Sequence, residues 1–160
     1  MSKPQIGHPH LGVTPPISLC GPDPLDIQRS RQLRDALEPY GCFETAAEIN
    51  HRTRTLSRLN ALLKEWIVDS SIEKNMPRTL AEKAGGKIFT FGSSRLGVKD
   101  KGADVDVLCV APRHISRENF FGSFVKVLRN QAEVANLRAI PGAYVPVIKM
   151  VYDGIDIDMT

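Results

Sequence analysis

The sequence predicts an α/β domain behind a helical N-terminal third and an extended arm. Three observations carry that reading. Helical periodicity of apolar residues dominates from Asp23 to Ser70. β-branched and aromatic runs then appear from Lys87 onward, broken by Gly and Pro turns. Finally, the stretch KIFTFGSSRLGVKDKGADVDVLCV, Lys87 to Val110, sets a Gly-Ser turn between two apolar runs, the second carrying two aspartates.

Size and composition set the bounds. With 160 residues and 42% hydrophobic content, the chain suffices for one domain with a sizeable core. No stretch approaches the roughly 18 apolar residues of a membrane span, so no membrane partner is expected. MSKPQIGHPHLG lacks the apolar segment of a secretory signal. A net charge of +3 permits a nucleic-acid partner without arguing for one. Cys20, Cys42 and Cys109 form no C-x-x-C pair, which speaks against a zinc ribbon or disulfide framework and for reduced thiols. His8 and His10 flank a proline in the arm and have no spacing that suggests a metal site.

Residues 1 to 22 hold five of the eleven prolines and read as an extended arm. Asp23-Pro24 has the form of a helix start, with Asp as cap and Pro in the first turn. Leu25, Ile27, Leu33 and Leu37 give an apolar stripe that Pro39 and Gly41 end. A longer helix is expected from about Glu44 to Ser70, with Ile49, Leu56, Leu59, Leu63 and Trp66 on its buried face. Arg52, Arg54, Arg58 and Lys64 lie off that stripe, and a solvated face explains them better than a nucleic-acid footprint. Pro77 opens a short helix closed by Gly85-Gly86.

Strands are expected at Lys87 to Phe91 and Val105 to Val110. A helix capped by Ser116 follows, with Phe120, Phe121, Phe124, Val125 and Leu128 turned inward. Glu133 to Ile140 and Tyr144 to Tyr152 read as a hairpin across Pro141-Gly142, with Pro146 weakening the second strand or placing it near an edge. Asp153-Gly154 turns into a last strand, Ile155 to Met159. The chain stops at Thr160, in mid-strand, as a fragment of something longer would.

The chemistry lies in the aspartates. Asp104 and Asp106 stand at i and i+2, so on a strand both carboxylates leave one face while Val105 and Val107 leave the other. Asp156 and Asp158 repeat the pattern. Magnesium takes hard oxygen ligands from a few carboxylates, water and phosphate, and a third carboxylate from an adjacent strand, Asp156 or Asp158, would complete a two-ion site for in-line displacement at phosphorus. Gly92 lets a phosphate approach the backbone, Ser93 offers a hydroxyl and an amide, and Lys99 and Lys101 are charge partners for phosphates. Gly-Ser alone is an ordinary turn, and D-x-D alone a solvated edge; the combination with a second acidic strand is far more specific. A P-loop fails, because Val98 separates Gly97 from Lys99 and no Ser or Thr follows that lysine.

FTFGSSRLGVKDKGADVDVLCVAPRH strongly resembles the catalytic core of eukaryotic nuclear poly(A) polymerases, members of the polymerase-β-like nucleotidyltransferase superfamily. LGVTPPISLCGP is similar to the family's N-terminal arm, LNALLKEWI to its long helix, and VPVIKMVYDGIDID to the approach to its third carboxylate. The resemblance covers nearly all of residues 11 to 159. It implies an α+β / α/β nucleotidyltransferase domain over residues 23–160, a mixed sheet with flanking helices, after the arm of residues 1–22 and two helices. It implies template-independent transfer of AMP from ATP to the 3′ end of RNA with two magnesium or manganese ions, in the nucleus, alongside mRNA 3′-processing factors. Asp104, Asp106 and Asp158 become the metal-binding and catalytic triad. Phe91, Gly92, Ser93, Asp100 and Val105 join them around the nucleotide. Ser94 stands where the family usually has Tyr, Lys99 where it has His or a similar residue, and Asp100 where Thr or Gly is common. The family's central helical and RNA-gripping domains are not in these 160 residues, so weak or no activity of the chain alone is expected. Another RNA terminal nucleotidyltransferase, or a non-catalytic short isoform acting through RNA-processing partners, are the alternatives.

Overall fold

The computed structural model describes residues 17–97 and 101–160, in two units, Met1–Pro39 and Tyr40–Thr160. In the first unit, α1 (Pro24–Leu37) begins as the sequence predicts. The Asp23 carboxylate accepts from the Asp26 amide at 2.8 Å and Asp26 returns the bond to the Asp23 amide, a reciprocal cap. Leu25, Ile27 and Leu33 on this helix are exposed.

The second unit is built on a five-stranded sheet in the order β1-β2-β5-β4-β3. Its strands are β1 (Lys87–Thr90), β2 (Val105–Val110), β3 (Val134–Ile140), β4 (Val147–Tyr152) and β5 (Ile155–Met159). All neighbours are antiparallel except β2 and β5, which run parallel. The sheet is therefore mixed, as expected. β4 lies inside it, and the strand starts only after Pro146, so the missing N–H of the proline falls outside the ladder. Asp153 and Gly154, with φ of 51° and 78°, make the tight β4–β5 turn.

One sheet face carries the core. α2 (Ala46–Glu73) covers it with Leu59, Leu63, Trp66 and Ile67, all buried. Thr45 caps α2 and Glu48 bonds back to the Thr45 amide at 2.8 Å. Ile49, expected on the stripe, is exposed, and burial on α2 begins only at Thr55. α3 (Arg78–Ala81) is a single turn, and α4 (Gly92–Leu96) follows β1. The predicted helix after Ser116 forms as α5 (Arg117–Asn119), a wider π turn over Phe120–Phe124, and α6 (Val125–Arg129) in direct succession. The π turn sets Phe124 against Trp66, ring centroids 4.7 Å apart, with Phe120 5.7 Å from Phe124 on its other side. Ile88, Val105, Val107, Ile148, Met150, Tyr152, Ile157 and Met159 complete the core from the strands.

Alternate residues of β2, β4 and β5 turn to the helices, fully buried except for the half-buried Cys109 and Ile155, which leaves Asp106, Lys149 and Asp158 on the opposite, open face.

Candidate active site

The parallel β2–β5 ladder pairs Val105 with Ile157, Asp106 with Asp158 and Val107 with Met159. Residues paired directly across two strands present their side chains to the same face. Asp106 and Asp158 thus stand side by side, although 52 positions apart in sequence. Asp104 precedes β2 and lies with Asp156 and Asp158 along one shallow concavity of the open face. The structure therefore places Asp104, Asp106, Asp156 and Asp158 along neighbouring positions at β2 and β5.

Their electrostatics are those of crowded anions. Burial first, then the charges of Asp104 and Asp158, hold the Asp106 carboxyl above its ordinary value of 3.8, and only Lys149 opposes them. Lys149 pairs with Asp158 across the β4–β5 ladder, and its ammonium donates to Asp158 Oδ2. That bond holds the Lys149 pKa above its usual value. Among the described residues, no three His, Cys, Asp or Glu side chains converge closely enough on one point to hold an ion as they stand. The donor set still fits a hard divalent cation in type, in shared face and in carrying more negative charge than Lys149 alone offsets.

The turn at Phe91, Gly92 and Ser93 is set against this row. The Phe91 amide donates to the Asp106 carbonyl at 3.1 Å, which moors the turn to β2. Gly92 takes φ of 62°, and a Cβ there would collide with Asp106 Oδ2. Asp100 and Lys99 lie outside the described residues. Lys101, a predicted phosphate partner, instead pairs with Glu48 at 3.0 Å. Arg52 is paired with Glu44, and Arg58 reaches Asp153 at 3.2 Å. Two of the helix-face arginines are thus committed to holding loops and turns.

Lys149 escaped the sequence reading. Its signal was present, since it alternates with Ile148, Met150 and Tyr152 and so had to share a face with the aspartates.

The fold defines the class. The chain superposes on the Cid1 RNA terminal uridylyl transferase with a TM-score of 0.59, at 15% identity, over 82% of this chain and 36% of that one. It also superposes on the polymerase core of the TRAMP RNA surveillance complex with a TM-score of 0.51, at 21% identity, over 75% and 33%. This is a nucleotidyltransferase fold.

The family is narrower. Residues 12–160 match the poly(A) polymerase nucleotidyltransferase domain, and the chain belongs to that family. It is 41% identical over 148 residues to poly(A) polymerase PAPalpha of Candida albicans, covering 92% of this chain and 26% of the relative. It is 41% identical over 149 residues to a poly(A) polymerase of Dictyostelium discoideum, covering 93% and 18%. The chain thus spans about a quarter or less of the length of these two relatives.

Proposed function

We infer that this chain supplies the catalytic floor of a polynucleotide adenylyltransferase, which transfers AMP from ATP to the 3′-hydroxyl of RNA without a template. The observation that carries the reading is the Asp106–Asp158 pair, with Asp104 beside it and the Gly92 turn moored to the same strand.

Asp104, Asp106 and Asp158 would hold two divalent ions, magnesium or manganese. When bound, these supply acidification of the attacking hydroxyl and neutralisation of the departing pyrophosphate. The chain's own residues do the positioning. Gly92 opens the backbone to the triphosphate, and the Ser93 amide and hydroxyl are donors for it, with Phe91, Val105 and Asp100 flanking the nucleotide. Lys149 steadies Asp158 and tempers the charge of the row. Because an in-line displacement needs its nucleophile and leaving group on opposite sides of phosphorus, a triphosphate at the Gly92 turn leaves the β5–β4 side for the RNA end.

In this reading, residues 23–160 are the catalytic domain behind an arm of residues 1–22, and most adenine and RNA contacts come from other parts of a longer enzyme. Nuclear mRNA 3′-end formation, with its processing factors, is the setting that the family suggests. The test is extension of a labelled oligo(A) RNA with each of the four nucleotides, in the longest form of the protein. ATP-dependent tailing is expected, and Asp104→Ala with Asp106→Ala should abolish it with the circular dichroism spectrum unchanged. Tailing that survives the double substitution overturns the mechanism, and a preference for UTP overturns the choice of base. The 160 residues alone should tail RNA feebly; robust tailing by them overturns the division of labour.

A further inference from the structure

The carboxylate row does not end at β5. Asp158 pairs with Lys149 on β4, and Lys149 pairs with Arg138 on β3. Read across the sheet, one line runs Asp106, Asp158, Lys149, Arg138, acid to base over four strands. Arg138 lines the same concavity as Asp104, Asp156, Asp158 and Lys149.

Arg138 is on that face because of an irregularity. Ala135 pairs with Val151 and Arg138 with Lys149, so three steps on β3 match two on β4. The extra residue makes a bulge, and Asn136 within it takes the left-handed conformation, φ 54°. Without the bulge, Leu137 would stand opposite Lys149 and Arg138 would turn toward the core. With it, Leu137 packs against the core and Arg138 faces out. Bulges of this kind re-aim side chains beside active sites. Arg138 is exposed, and among the described residues it forms no ion pair. Its guanidinium therefore has all its donors available, in the planar fork that suits a phosphate.

We propose that Arg138, aided by Asn136 and Lys149, seats a backbone phosphate of the acceptor RNA just upstream of its 3′ end. The inference rests on the transfer reading above. Two strand spacings of about 4.8 Å separate Asp158 from Arg138, on the order of 10 Å. That is the reach of about three nucleotides at about 3.4 Å each along a stacked strand. The triphosphate is the other possible source of phosphate, but its turn lies on the β1–β2 side of the carboxylates and Arg138 lies beyond β5 and β4.

The test titrates 5′-fluorescein oligo(A) RNA by anisotropy without nucleotide or divalent ion, and a fluorescent ATP analogue separately, in the protein form used for tailing. Arg138→Ala should weaken RNA binding about tenfold, the scale of one charge-assisted contact. It should also lower the salt slope of log K by about 0.7 and leave ATP-analogue binding within about twofold. Arg138→Lys should recover part of the loss, since it keeps the charge without the fork. Unchanged RNA binding by Arg138→Ala overturns the inference alone. A loss confined to the ATP analogue overturns it in favour of the triphosphate. A wild-type protein that neither binds nor extends RNA overturns the transfer reading and this inference together.

Discussion

Gly92 leaves empty the one position that the Asp106 carboxylate needs. A Cβ at residue 92 would run into Asp106 Oδ2, and the backbone there is left-handed as well. Glycine is required twice over, for the turn and for the carboxylate beside it.

Gly92→Ala should therefore disturb the site more than the fold. The left-handed backbone alone costs about 1–2 kcal/mol for an L side chain, and Asp106 must shift to make room. A modest fall in the urea midpoint, with loss of most RNA tailing, is the expected pair of results. Full activity in Gly92→Ala would show that Asp106 is not held where its chemistry requires.

Glu48 links the start of α2 to Lys101. The Thr45 amide first, and the Lys101 ammonium second, push its carboxyl down to about 2 from an ordinary 4.5. A lowered carboxyl pKa means that the unfolded chain binds the proton more readily. The contribution is thus whole above pH about 4.5 and is lost as pH falls toward about 2. Glu48→Gln keeps the reciprocal cap in shape while removing the charge. It should flatten the fall of stability across that window, as read from urea unfolding at a series of pH values. An unchanged acid limb would mean that neither the charge on the cap nor the pair with Lys101 contributes in solution.

The thiols should separate by environment. Cys109 is pushed up to about 12 by burial, whereas Cys20 is exposed. Only the thiolate reacts. Iodoacetamide at pH 8 should modify Cys20 in the native chain and spare Cys109 until denaturant is added, with mass mapping as the readout. Rapid native labelling of Cys109 would contradict its packing.

Phe124 is the centre of the aromatic stack and is fully buried. Phe124→Ala should cost about 3–5 kcal/mol in chemical denaturation. A cost below about 1 kcal/mol would mean that the π turn can close over the gap.

Much of this was legible in the sequence because period and punctuation agreed. Asp23-Pro24 opened α1, and the alternation of Val105, Val107, Ile157 and Met159 with aspartates fixed both the strands and the face they share. What escaped did so for physical reasons. A bulge leaves no periodic trace, so nothing around Asn136 announced that Arg138 would face outward. Lys101 follows the Gly92 turn in sequence, but its ion pairing with Glu48 depends on where α2 lies, which is a tertiary matter. The widened turn at Phe120–Phe124 preserves an apolar pattern that an ordinary helix would also satisfy.

β5 is the last strand in the sequence and the middle strand of the sheet. Without it, β1 with β2 and β3 with β4 would be two separate pairs, each with an open edge. The strand that joins them also delivers Asp158. Asp106 and Asp158 therefore become neighbours only where β2 and β5 pair, so any event that parts the two halves of the sheet dismantles the carboxylate row with it.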